Sequence, residues 1–509
     1  MKTEIINIVP QPNVLELTGG YCSPEAQKNV DNILVPDGVC QNDQGTSGEK
    51  YTLDIKEEGI VAKGTKAGLF YAGISFEQLK LQFPEAVPCM HIEDQPRFEH
   101  RGFMLDSSRH FFSEPDVMTL IDAASFFKLN RFHWHLTDDQ GWRIEIDKYP
   151  RLTETGSVRS GSSFGIDEHQ TGEYKGFYTK KQIRRIVRFA KDRNIEIIPE
   201  IEIQGHETAA IAAYPELGCT GMAVPVETRG GIFENLICAG RDECFDFMTD
   251  VLDEVMELFP FEEIHIGGDE AVKSHWRACP YCQSRMHELG LRDENALQQW
   301  FEIRIASYLR TKGKKTVVWN DSLRGSKLPA EDFTVQSWIG DHEAIADFAD
   351  RGGSIINSDT TAYYLDYPYY LSDAWKVLTN PVTPAFLNAD QAKQVKGLEC
   401  LLWSERVPDL HTAVKQLFPR LPAMAEAAWT DEGSRDNETF FERYEGCSTL
   451  FSKRRLEGQA PREWWHMDDK TAAADRAAYE KMMGTPQMRS YAASDNELIG
   501  KEEELYGQR

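Results

Sequence analysis

Between Arg101 and Trp403, short apolar runs of strand length alternate with stretches whose apolar residues recur every three or four positions. The runs are Gly102–Leu105, Phe132–Leu136, Ile195–Ile201, Ile264–Ile266, Thr316–Trp319, Thr334–Trp338, Ser354–Asn357 and Leu398–Trp403. Helical spacing follows several of them. Val117, Leu120, Ile121 and Ala124 form one set, Ile183, Ile186, Val187 and Ala190 a second, and Met248, Val251, Leu252 and Val255 a third. A longer helical stretch spans about Glu294 to Thr311. Repeated strand–helix units imply a parallel sheet, and eight of them predict an α/β fold closed as a (β/α)8 TIM barrel, over residues 96–440. An open doubly wound sheet is the rival. No Gly-x-Gly-x-x-Gly follows any run, which weighs against a dinucleotide-binding sheet.

Residues 1–95 have a different rhythm. Tyr51 to Lys63 alternates apolar and polar about Glu58-Gly59, a hairpin pattern, and Leu69, Phe70, Ile74 and Leu79 follow at helical spacing. These predict a small α+β domain. A linker rich in proline and charge, from Pro84 to Arg97, is expected to join it to the barrel. Residues 441–509 are polar and helical in pattern, and predict a C-terminal helical extension ending in the solvated tail Lys501-Glu502-Glu503-Glu504.

Composition narrows the partners. With 41% hydrophobic residues in 509, the chain can bury a large core. A formal charge of −26 opposes nucleic acid and anionic membrane. No run of about 18 apolar residues is present, so no spanning helix is expected. Met1 to Asn7 lacks the apolar core and cleavage site of a signal peptide, and the ten cysteines show no framework spacing. Both point to the cytoplasm; a secreted or periplasmic location would require a leader ahead of Met1.

Each apolar run tends to end in polar or aromatic residues. Asp106 and Arg109 end the first, Asp138-Asp139 the second, and Glu200, Glu202 and His206 the third. Asp269-Glu270, Trp319-Asn320-Asp321, Trp338, Asp359 and Trp403-Ser404-Glu405 end the others. Strand C-termini of such barrels face one pocket, so these side chains should converge. In His265-Ile266-Gly267-Gly268-Asp269-Glu270 two glycines permit a sharp turn, and two adjacent carboxylates enter one site. Crowding and burial raise one pKa and leave an acid beside an anion, the pair glycoside cleavage needs. The alternative is a helix-capping pair. Arg109 suits bidentate contacts to hydroxyls, and Trp319, Trp338 and Trp403 suit the walls of a sugar pocket.

Two spacings point elsewhere. His133-x-His135 places both imidazoles on one side of a strand, as in metal-dependent barrel hydrolases. His275-x3-Cys279-x2-Cys282-x4-His287 has zinc-like spacing; a helical hairpin with free thiols or a Cys279–Cys282 disulfide would also account for it.

Taken together, the motifs resemble glycoside hydrolase family 20, the β-N-acetylhexosaminidases. They are Arg101-Gly102-x-x-Leu105-Asp106-x-x-Arg109-His110-Phe111, Lys128-Leu129-Asn130-x-x-His133-Trp134-His135-Leu136-Thr137-Asp138-Asp139-Gln140-Gly141-Trp142-Arg143, and Pro199-Glu200-Ile201-Glu202-x-x-Gly205-His206. His265-x-Gly267-Gly268-Asp269-Glu270 and Leu402-Trp403-Ser404-Glu405 complete the set. The resemblance implies exo-acting, retaining removal of terminal β-linked GlcNAc or GalNAc from glycans, with the substrate's acetamide as nucleophile and no cofactor or metal. It further implies Glu270 as general acid/base and Asp269 as the group that orients the acetamide. Trp319, Trp338 and Tyr364 would surround the acetamide, and Trp403 would underlie the ring. Arg109, Glu405 and Asp366 would hold hydroxyls, and His206 would support Glu270. A catalytically silent binder of the same sugars, or a metal-dependent hydrolase using His133 and His135, are the alternatives. The chain departs from the family where Glu202 replaces the usual Asp, Ile203-Gln204 the usual Met-Pro, and Asn320-Asp321 the usual acid pair. The longer Glu202 is expected to shift His206 or compete with it, and Trp375 is a candidate for a remaining pocket tryptophan.

Overall fold

The computed structural model describes residues 5–23, 48–164, 170–325, 327–447, 454 and 456–483; the glutamate-rich tail lies outside them. All eight predicted runs are strands of one closed parallel barrel. In chain order they are His100–Asp106, Arg131–His135, Glu196–Glu200, Glu263–His265, Lys315–Trp319, Phe333–Ser337, Ser354–Asn357 and Val395–Leu402. Neighbours in sequence are neighbours in the sheet, and Gly397–Leu402 pairs in register with His100–Leu105 to close it. The open-sheet alternative is thereby excluded.

The helices follow from local chemistry. Ser113 accepts from the Asp116 N–H to start Glu114–Phe126, with proline in its first turn. Thr179 and Gln182 form a reciprocal capping box at the head of Lys180–Lys191. Asp293 caps Glu294–Thr311 through the Ala296 N–H. The apolar faces predicted from spacing, such as Val117, Leu120, Ile121 and Ala124, are buried against the strands.

Ahead of the barrel, four antiparallel strands lie in the order Val14–Tyr21, Pro88–Asp94, Tyr51–Lys56, Gly59–Gly64, packed on the helix Lys66–Gln82. The predicted hairpin and helix are present. The predicted linker is corrected, because Pro88–Asp94 is a central strand of this sheet. Trp429, from the helix Arg420–Trp429, is fully buried in the core of this small sheet. The C-terminal region contributes the helices Phe440–Cys447 and Asp469–Met483. Among the described residues, no helix is long and apolar enough to cross a membrane.

Candidate active site

The fourth barrel strand is short, and its end is bent hard. Gly267 and Gly268 have φ of +67° and +103°, and Glu270 itself has φ of +47°. A Cβ on Gly268 would meet Ser322 Oγ at 2.5 Å, so the turn demands glycine for space as well as for conformation. Left-handed backbone at a glutamate is strained, and such strain persists where the surroundings over-determine it. The next helix begins at Ser274 with Lys273 as its N-cap, so Asp269 and Glu270 do not cap it. The capping alternative is removed, and both carboxylates turn to the barrel mouth.

Asp269 is nearly buried, with 11% of its side chain exposed, and its Oδ1 has no hydrogen-bond partner. Burial first, then the charges of Glu270, Glu200 and Asp321, push its carboxyl up to about 7 against the pull of His206. Glu270 is more open, at 25%. His206, itself at φ +52°, spans both: its Nε2 lies 3.6 Å from Asp269 Oδ2 and 3.6 Å from Glu270 Oε2. Its Nδ1 faces Asp139 Oδ2 at 3.1 Å and Asp138 Oδ1 at 3.3 Å. Burial alone would lower the imidazole pKa, but Asp138, Asp269 and Asp139 outweigh it and hold His206 well above its ordinary value. With Glu202 in place, His206 still reaches Asp138, Asp139, Asp269 and Glu270.

The aromatic wall is continuous. Trp319 Nε1 donates to Glu200 Oε1 (2.8 Å), and Trp338 Nε1 donates to Asp321 Oδ2 (2.8 Å), which fixes both indoles. The Trp338 and Tyr364 rings stack at 6.1 Å, and Trp403 lies 6.1 Å from Trp319 and 6.5 Å from Tyr364. Tyr367, absent from the sequence expectations, joins this cluster 5.5 Å from Tyr364. Asn320 braces Trp338 by accepting from its backbone N–H (2.9 Å) while donating to Ile339 O.

Arg109 sits 5.0 Å over the Trp403 ring. Its Nη2 pairs with Asp138 at 2.7 Å, its Nε donates to Gln140 (2.9 Å), and its Nη1 lies 3.8 Å from Glu405 Oε1. Asp366 Oδ1 is buried without a partner, and burial, then Glu405, pushes this carboxyl up to about 7. Trp375 lies elsewhere: it stacks at 4.7 Å on His466 and packs near Phe441, so it is not grouped with the wall.

His133 and His135 point into the barrel interior among carboxylates. His133 Nδ1 pairs with Glu399 (2.7 Å), and His135 pairs with Glu200 and, through Nε2, with Asp138 (2.9 Å). Their nitrogens are engaged in a buried ladder that ends at the Asp138–Arg109 pair. A support the sequence did not reveal comes from the helix Glu294–Thr311. Gln298 Nε2 donates to Gly268 O (2.7 Å) and to Glu302 Oε1 (2.8 Å), and Ser322 Oγ donates to the same Glu302 oxygen (3.0 Å). The signal was there to read: two polar residues one step from the buried Leu297, Phe301 and Ile305 of the same helix.

Paired carboxylates at the head of a (β/α)8 barrel, with a cluster of Trp319, Trp338, Trp403 and Tyr364 at the same end, define a barrel enzyme of the glycoside hydrolase class. The chain belongs to glycosyl hydrolase family 20: residues 98–432 match that family's catalytic domain. A beta-hexosaminidase of Porphyromonas gingivalis is 39% identical over 427 residues, which cover 78% of this chain and 54% of that protein. This chain thus spans about half the length of that relative. A beta-hexosaminidase of Akkermansia muciniphila is 31% identical over 439 residues, covering 82% of this chain and 88% of its own. The crystal structure of an exo beta-N-acetylglucosaminidase from Vibrio harveyi, in complex with N-acetylglucosamine, superposes with a TM-score of 0.77 at 30% identity, covering 91% of this chain and 79% of that one.

Proposed function

We propose that this protein is an exo-acting, retaining β-N-acetylhexosaminidase that releases terminal β-linked GlcNAc or GalNAc from glycans by substrate-assisted catalysis. The observation that carries the reading is Asp269 Oδ1, a buried acceptor without a partner, beside a second carboxylate that lines a cleft with Trp338. An acetamide N–H is the donor it lacks. Family membership and the sugar held by the Vibrio harveyi neighbour support the same reading.

In this mechanism the acetamide oxygen attacks the anomeric carbon as the glycosidic bond breaks, and Glu270 gives its proton to the departing oxygen. The product is an oxazolinium ion. Asp269 accepts from the acetamide N–H and stabilises the positive charge that develops there. Water then attacks the same carbon, Glu270 takes its proton, and the two inversions give net retention. Tyr364 donates to the acetamide oxygen while Trp319 and Trp338 enclose the methyl. Trp403 underlies the ring, Arg109 and Glu405 hold the 3- and 4-hydroxyls, and the free Asp366 oxygen receives the 6-hydroxyl. Protonated His206 lies against both carboxylates and favours Asp269 as the anion. The leaving group exits past Glu270 into a cleft of about 780 Å³ lined by Lys273, Arg277, Arg324, Trp338 and Asp341.

The test is hydrolysis of the 4-nitrophenyl β-glycosides of GlcNAc and GalNAc, with the β-glucoside as control. Turnover of an N-acetyl sugar and none of the glucoside is expected. On a disaccharide with a sugar leaving group, Glu270→Gln should lower kcat/KM by roughly 10²–10⁴-fold. Undiminished hydrolysis by that variant would overturn the assignment, and saturable binding of the sugars without turnover would make the protein a lectin-like binder.

A further inference from the structure

Four cysteines meet outside the barrel, in the loops that follow the third and fourth strands. Cys219 Sγ lies 3.8 Å from Cys282 Sγ, and Cys238 Sγ lies 3.7 Å from Cys279 and 3.6 Å from Cys282. All four sulfurs lie within 4.8 Å of one another, three from buried residues and Cys219 from a half-buried one. We propose that Cys219, Cys238, Cys279 and Cys282 bind a structural zinc ion. Zinc in a four-thiolate site has Zn–S of about 2.3 Å, which sets the edges of the sulfur tetrahedron at about 3.8 Å. The three closest-contact separations, 3.8, 3.7 and 3.6 Å, match that edge and are far from a disulfide, at about 2.0 Å.

The backbone is arranged to bring these sulfurs together. Cys279 is the N-cap and Cys282 lies in the first turn of the helix Pro280–Leu289, a C-x2-C knuckle at a helix N-terminus. Both the fold of the knuckle and the positive end of the helix favour thiolates. Cys219 and Cys238 each follow one member of the antiparallel bridge Gly218–Ile237, and the Cys238 N–H donates to Leu217 O (2.8 Å). Trp276 Nε1 donates to Ile237 O (2.9 Å), tying the two halves. Gly240 lets them close: a Cβ there would sit 2.3 Å from the Tyr281 carbonyl carbon. Binding replaces the four thiol protons with one Zn²⁺ and releases them to solvent, with no change of oxidation state.

The zinc-like spacing of the sequence therefore found half of the set. His287 is exposed, and His275, 30% exposed, lies 3.9 Å from Glu234. The two histidines are replaced by cysteines from an earlier loop. That loop, 219–238, reaches the mouth: the Glu227 N–H donates to Asp139 O (3.1 Å), and Asp139 faces His206. Cys279 stands nine residues beyond Glu270 in the same connection. The zinc staples the loop behind His206 to the loop that carries Glu270, so it acts on position and stability and takes no part in bond breaking.

The experiment is elemental analysis and zinc X-ray absorption of the full chain, purified without chelator. One zinc per chain with four sulfur neighbours at about 2.3 Å is expected. Cys238→Ser and Cys282→Ser should lose the metal and melt several degrees lower. Cys244→Ser, a buried thiol in the same region, and the double variant His275→Ala/His287→Ala should keep it. Metal-free protein whose thiols titrate freely, a mass lower by the hydrogens of two disulfides, a coloured iron centre, or nitrogen in the zinc shell would each overturn the proposal. The wild-type spectrum decides even if the serine variants fail to fold. Glu270→Gln should retain its zinc, which separates this outcome from that of the catalytic reading.

Discussion

Glu202 lies with its carboxyl so close under the Gly267 turn that a Cβ there would sit 1.8 Å from its Oε2. Both oxygens are buried without a partner. Burial, then the charges of Asp269 and Glu200, hold this carboxyl well above the usual range and favour its neutral form. In its neutral form Glu202 does not compete with Asp138 and Asp139, which face His206 Nδ1. Glu202→Gln should therefore leave kcat/KM within about threefold of wild type, because a neutral group of the same shape replaces another. Steady-state kinetics on a 4-nitrophenyl N-acetylhexosaminide checks this; a hundredfold loss would mean that Glu202 works as an anion.

At the scale of elements, the helix Glu294–Thr311 carries the catalytic turn on Gln298 and Glu302. Burial pushes the Glu302 carboxyl up to about 7, with Asp321 adding to it and the bonds from Gln298 and Ser322 opposing. Its native value thus lies above the unfolded value of about 4.3. Between those values the native state holds a proton that the unfolded chain has lost. Glu302 then contributes stability below about 4.3 that is lost as pH rises to about 7, at up to about 1.4 kcal/mol per pH unit. Calorimetry from pH 5 to 8 should show Glu302→Gln losing less stability than wild type across that window; parallel curves would contradict it.

The same helix marks the limit of the sequence reading. All eight barrel strands were legible because each is an apolar run bounded by polar strand ends. Pro88–Asp94 was not, since it opens on proline, mixes charge with Cys89, Met90 and Ile92, and finds its partners more than thirty residues away at Val14–Tyr21 and Tyr51–Lys56. The strand-end residues of the pocket could be read because a barrel sends them to one place. Gln298 and Glu302 arrive from a helix, and spacing sets them beside its apolar stripe without saying which turn they support. Cys219 and Cys238 are paired by a bridge within one loop, and they meet Cys279 and Cys282 of the next connection only in the folded chain.

Across the whole molecule, the small sheet and the barrel are locked by buried charge. Arg101 forms a two-point pair with Glu49 (2.8 and 2.9 Å) and lies 4.9 Å over the Trp429 ring. Lys128 Nζ pairs with Asp94 (3.0 Å), donates to Tyr51 (3.0 Å) and lies 4.5 Å over the same indole. Removing one partner strands the other charge in the interior. Lys128→Met should destabilise the protein by roughly 3–5 kcal/mol in denaturant unfolding while leaving KM unchanged; an unaltered midpoint would show that the lock is not needed. The central claim concerns chemistry at the other end of the barrel, and the most direct test is the rate on aryl β-GlcNAc substrates whose acetyl group carries successively more fluorine. If the acetamide oxygen is the nucleophile, held by Tyr364 while Asp269 takes the acetamide N–H, kcat/KM falls steeply with each fluorine. A rate indifferent to fluorination would contradict the account and place the nucleophile on the protein.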